Sequence, residues 1–113
     1  MKLISDLKPK DVSFLARSFD YKDRFIGEYF ETLIRYESLH KMIVKAEAGT
    51  LNFTPSCPID LLHEQKRHMG EYLHSLEVRA QIEDIDLDAS YMTLLADIEA
   101  EADCETVPDH PTY

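Results

Sequence analysis

The chain has 113 residues, 44% of them hydrophobic and 30% charged, with a formal net charge of -10. That length allows one domain with a modest core, and three glycines in all argue against a turn-rich β fold. The acidity is local. Residues 1–82 carry 12 acidic and 12 basic side chains, whereas residues 83–113 carry 10 acidic and none basic. Without a net basic face to release counterions, long DNA or RNA is disfavoured as a partner.

No apolar run reaches the ~20 residues of a membrane span, and the opening MKLISDLK lacks the apolar core of a secretory leader. A membrane role is therefore not expected. Cys57 and Cys104 have no metal-ligand spacing and read as free thiols of a reducing cytosol.

In chain order, residues 1–19 read as an N-terminal helical clip. Pro9 suits a first helical position, and Val12, Leu15, Ala16 and Phe19 recur at helical spacing. Asp20 is a good N-cap, with Asp23 where a capping-box acid belongs. The first long helix then runs to about Ala48, with Gly49 beyond it. It carries two apolar seams: Phe25, Tyr29, Thr32, Tyr36, Leu39 and Ile43, then Ile26, Phe30 and Leu33 one residue around. A simple hairpin needs one seam. The second implies a further partner, expected to be another subunit.

Residues 50–58 form the connection, with Pro55 and Pro58 as punctuation and Leu51 and Phe53 expected to close the core. The second long helix spans about 58–82. At heptad spacing it shows Leu62, Gln65, Met69, Tyr72, Leu76 and Arg79 as its seam. Half of that row is polar or polar-tipped, and an unpartnered buried polar group costs about 1–3 kcal/mol. Gln65, Tyr72 and Arg79, seven apart, therefore need a network or a ligand. A third, shorter helix is expected over 89–102, capped by Asp88, with Tyr91, Leu94, Leu95 and Ile98 on one face. The tail after Cys104 reads as disordered.

Three chemistries are available. Glu37-x-x-His40 and Glu71-x-x-His74 have the spacing of carboxylate-bridged metal bundles, and Glu64 and His68 are one turn apart. Both pairs flank the seams, so a solvated charged surface accounts for them. Ser75, Cys57 and the five histidines offer parts of a nucleophilic site in no coherent spacing. The third is recognition of an aromatic anion by rings and cations: Tyr21, Arg24, Tyr29, Arg35, Tyr36 and Lys41 on the first helix, and Gln65, Tyr72 and Arg79 on the second.

The run Leu61-Leu62-x-x-Gln65-x-x-x-Met69-x-x-Tyr72-x-x-x-Leu76-x-x-Arg79 resembles the second helix of a phage helical-hairpin family, the anti-CBASS and anti-Thoeris cyclic-nucleotide sponges. Tyr21-x-x-Arg24-x-x-x-Glu28, Leu39, Met42-Ile43 and the Pro58-Ile59-Asp60 before Leu61 extend the likeness over residues 20–82. The resemblance implies an all-α fold: a long antiparallel helical hairpin with short flanking helices, assembling into a homo-oligomeric bundle, a hexamer in known members.

It also implies a binding protein without catalysis, metal or cofactor. Such a protein acts in the cytoplasm of the infected bacterial host and holds intact cyclic di- or trinucleotides, or cyclic ADP-ribose-type signals, between subunits. By the same likeness Tyr21 stacks on a base and Arg79 serves a trinucleotide pocket. The family's phosphate-binding lysine has no direct counterpart. Tyr36 stands near its place, with Arg35 beside it and Lys41 further on. The expected division is a clip at 1–19, the hairpin at 20–82 and an acidic helix with tail at 83–113. The alternatives are an acidic all-α protein that blocks a host protein, and a metal-binding bundle.

Overall fold

The computed structural model describes residues 7–105, with side chains through residue 99. The tail beyond Glu105 and the side chain of Cys104 lie outside the described residues. The described chain is all-helical. Its elements are α1 (Pro9–Val12), a 3-10 segment (Ser13–Arg17), α2 (Tyr21–Ala48), α3 (Ile59–Glu83) and α4 (Leu87–Glu105).

The ends of the helices follow from their residues. Asp20 Oδ1 accepts from the Lys22 amide at 3.0 Å, satisfying one of α2's unpaired N–H groups. At the far end Gly49 takes a left-handed φ of 78°, which turns its own amide and that of Thr50 back to the carbonyls of Ala46 and Lys45. Helix α3 ends on Asp84 at φ 61°, one of the few side chains that tolerate this region, and the Ile85 amide closes on Ala80 at 2.9 Å. Helix α4 starts two residues before the expected position. Its cap is Asp86 instead of Asp88: Asp86 Oδ1 accepts from the Ala89 amide at 2.9 Å.

Helices α2 and α3 pack side by side, and their paired residues run in opposite order. Tyr21 meets Glu83, Tyr29 meets Glu77, and Glu47 meets His63. On α2 the inward row matches expectation, with Phe25, Tyr29, Thr32 and Ile43 buried and Tyr36 and Leu39 half-buried. On α3 it does not. The buried residues are Leu62, Leu73, Leu76 and Ala80, joined by half-buried Lys66 and Met69. The helix is rotated so that Leu73 and Ala80 replace Tyr72 and Arg79, exchanging polar-tipped side chains for apolar ones at the contact. Gln65, Tyr72 and Arg79 are exposed along its margin.

The second seam of α2 is also covered differently from expectation. Its partner is the chain itself. Phe30 stacks on Tyr91 of α4 with centroids 6.0 Å apart, and Ile26 and Leu33 pack on a cluster that includes Val12, Leu15, Leu94 and Leu95. Gly27 permits this approach, since a Cβ there would sit 2.8 Å from the Leu15 Cβ. The apolar width of α2 therefore does not require another subunit. Two smaller expectations also change. Ala16 and Phe19 face solvent, because the N-terminal segment is one α turn followed by a 3-10 stretch. Phe53 is exposed and does not close the core.

Candidate ligand-binding face

The start of α2 is fixed by a small network. Ser18 Oγ accepts from the Asp20 amide at 3.0 Å and donates to Asp23 Oδ2 at 2.8 Å, while Arg24 Nη1 donates to the Ser18 carbonyl at 2.9 Å. Asp23 thus joins the cap through Ser18. This anchors Tyr21, the first residue of α2, against the last turn of α3.

There the Tyr21 hydroxyl donates to Glu83 Oε1 at 2.8 Å and accepts from Arg79 Nη2 at 2.5 Å. Arg79 Nε donates to Glu83 Oε2 at 3.2 Å, and its guanidinium carbon lies 4.9 Å from the centre of the Phe25 ring. Hydrogen bonding from Tyr21, reinforced by Arg79, holds the Glu83 carboxyl below its ordinary range. The bond to Glu83 raises Tyr21, and the same carboxylate is the main cause that raises Arg79.

A second cross-link lies further along. The Tyr72 hydroxyl donates to Glu28 Oε2, which raises the tyrosine's pKa. Tyr21 and Glu28 are seven residues apart on α2, and Arg79 and Tyr72 seven apart on α3. The same register places Arg35 across from Gln65. Each step is seven residues, so adjacent rungs are about 10 Å apart along the helices. The side chains of Arg35 and Gln65 are exposed and make no hydrogen bond or ion pair among the described residues.

Five of the expected ligand residues (Tyr21, Arg35, Gln65, Tyr72 and Arg79) therefore fall on one flank of the helix pair. The other two do not join them. Tyr36 lies on the opposite flank, in a cleft of about 730 Å³ with Lys66, Arg67 and His74. The Lys66 ammonium sits 5.9 Å from its ring centre. Lys41 lines a hollow of about 250 Å³ beside Pro9 and Glu37. A further cavity of about 420 Å³ lies beneath Tyr29, whose hydroxyl donates to Glu77 at 2.7 Å. Burial and then that bond push the Tyr29 pKa strongly upward. Asp84, Asp86 and Asp88 also line this cavity, which makes it hostile to phosphate.

Among the described residues no three of His, Cys, Asp and Glu gather where they could hold a metal ion. Glu71 is instead engaged by Arg67 at 3.3 Å. No described helix is long and apolar enough to cross a membrane. Glu28 and Glu83 were not among the residues singled out for the site. The seven-residue rows 21, 28, 35 and 65, 72, 79 were the available signal for Glu28.

A family model described as Sequestin matches residues 20–82. The chain belongs to the Sequestin family. Sequestins are phage anti-CBASS and anti-Thoeris sponge proteins for cyclic-nucleotide immune signals. The Sequestin match contains every rung of the ladder and stops one residue short of Glu83. It also leaves out α1, the 3-10 segment and α4. No curated protein and no solved structure gives a match.

Proposed function

We propose that this protein is a phage sponge that binds a cyclic di- or trinucleotide, or a cyclic ADP-ribose-type signal, and holds it intact. The effector that the signal should activate then stays silent, and CBASS- or Thoeris-type defence in the cytoplasm of the bacterial host is blocked. The observation that carries this reading is the meeting of Tyr21 and Arg79 on an uncovered flank of the helix pair, within the Sequestin match. A ring that stacks and a guanidinium that forks onto a phosphodiester are the two groups such a ligand needs.

Arg35, Gln65 and Tyr72 extend the same flank, with Arg35 as a cation without an internal carboxylate partner among the described residues. Tyr36 and Lys41 contribute from other faces, which a homo-oligomer, a hexamer by family likeness, brings alongside a neighbour's Tyr21. In this reading the hairpin at 20–82 carries the ligand, while the described parts of the segments 1–19 and 83–113 brace it.

Calorimetry against a panel of cyclic di- and trinucleotides and cyclic ADP-ribose isomers, followed by chromatography of the recovered ligand, tests it. Tight binding of one class with full recovery is expected. No binding across the panel contradicts the reading, and a cleaved ligand replaces it with an enzyme.

A further inference from the structure

We infer that Glu83 is a built-in competitor for the Tyr21–Arg79 site, an internal anion that an incoming phosphodiester must displace. The inference rests on the reading that Tyr21 and Arg79 receive an anionic ligand. Three arguments support it, all concerning the end of the helix pair opposite the loop.

The first is geometric. One carboxylate oxygen accepts from the Tyr21 hydroxyl at 2.8 Å and the other from Arg79 Nε at 3.2 Å. A phosphodiester offers the same fork of two oxygens to the same pair of donors. The carboxylate therefore occupies the position a phosphate would take, and the two cannot be bound together.

The second is the placement of Glu83 on its helix. It is the final residue of α3, whose last turn has no basic residue. A carboxylate there faces the negative end of the helix dipole, which disfavours it. Tyr21 and Arg79 are what compensate. Once a better anion takes those donors, the side chain has no reason to stay on the helix, and Asp84 in the left-handed region already ends the regular structure.

The third is chemical selectivity. Arg79 is neutralised at rest, so a weakly held, singly charged anion gains little by exchanging with the carboxylate. A ligand that also stacks on a ring or reaches Arg35 offsets the exchange. Glu83 would thus screen out small cellular anions while admitting a larger cyclic ligand.

The test uses the full chain, inorganic pyrophosphate at low ionic strength, and the Arg79 Nε–H resonance as a local reporter. Glu83→Gln should bind pyrophosphate at least tenfold more tightly than the wild type, with Arg79 Nε–H shifting on titration. The double variant Glu83→Gln, Arg79→Gln should lose that gain. Glu83→Asp, one methylene shorter and still charged, gives an intermediate affinity and guards against a folding defect in the amide variant. Equal or weaker binding by Glu83→Gln, or no binding by either protein, overturns the inference. The readout needs no cyclic nucleotide. A chain that captures cyclic dinucleotide yet shows no pyrophosphate gain in Glu83→Gln keeps the sponge reading and loses this one.

Discussion

The two halves of α2 live in different surroundings. Between Phe25 and Ile34 it buries Phe25, Gly27, Tyr29, Phe30, Thr32 and Ile34, held by α3 on one side and by the N-terminal turns and α4 on the other. Between Arg35 and Ala48 only Ile43 is buried. Helix α3 repeats the contrast, with Leu73, Leu76 and Ala80 against the single Leu62 near the loop. Stability is therefore concentrated where the two ends of the described chain return to the hairpin. The loop half is a barer pair of helices, and polar side chains such as Arg35 and Gln65 are left uncommitted to packing. Local opening should begin there.

Substitutions sharpen that contrast. Leu76→Ala, in the braced half, should cost about 2–5 kcal/mol, measured by urea unfolding, because the site cannot collapse around the lost atoms. Leu62→Ala should fall at or below the bottom of that range. Equal losses at both positions would contradict the uneven core.

Arg79→Ala should weaken the cyclic nucleotide at least tenfold, about 1.4 kcal/mol, in calorimetry, while leaving the urea midpoint nearly unchanged, since the side chain is exposed. Unaltered affinity would remove Arg79 from the site.

The two helical glycines split the halves again. Gly27→Ala would place a Cβ 2.8 Å from the Leu15 Cβ and 3.3 Å from the Ala16 amide nitrogen, so a net loss of about 1–3 kcal/mol is expected despite alanine's better helix propensity. At Gly70 the nearest neighbour is the edge of the Tyr36 ring at 3.3 Å, which can turn aside. Gly70→Ala should be neutral or stabilising by up to about 1 kcal/mol. Thermal melts of both variants check the pair, and opposite signs are the predicted outcome.

The weakest effects are those of pH. Glu83 is depressed in the folded chain, so its contribution is present above its ordinary value of 4.5 and fades as pH falls below it. Glu83→Gln should flatten that part of the acid unfolding curve. Tyr29 is raised, so its contribution is complete below the ordinary tyrosine value of 10.0 and is lost as pH rises beyond it. A phenolate absorbance titration should show Tyr29→Phe removing a tyrosine that ionises well above the ordinary value.

Much of the fold was legible because its signals are local. The Asp20 cap, the Gly49 stop and the Pro58 restart need only their own neighbours. The rotation of α3 was not legible. Tyr72 and Leu73 both sit at plausible seam positions, and only the partner helix decides which goes inside. The second seam of α2 was visible, but periodicity cannot say whether its cover comes from another copy or from the chain's own ends. Tyr91, far along the chain, and Leu15, in the turns just before α2, supply the answer. Of the site, the residues at seven-residue spacing were found as types. Their pairing across the hairpin depended on register, so Glu28 and Glu83 were missed as the carboxylates that hold Tyr72 and Arg79.

Native mass measurement with and without cyclic dinucleotide tests the central claim most directly. The account predicts a homo-oligomer that gains a fixed whole number of unmodified ligand masses, and an Arg79→Ala variant that assembles alike but gains none at the same ligand concentration. A lone subunit that takes up no ligand, or the loss of the ligand's mass to a cleaved product, would contradict it.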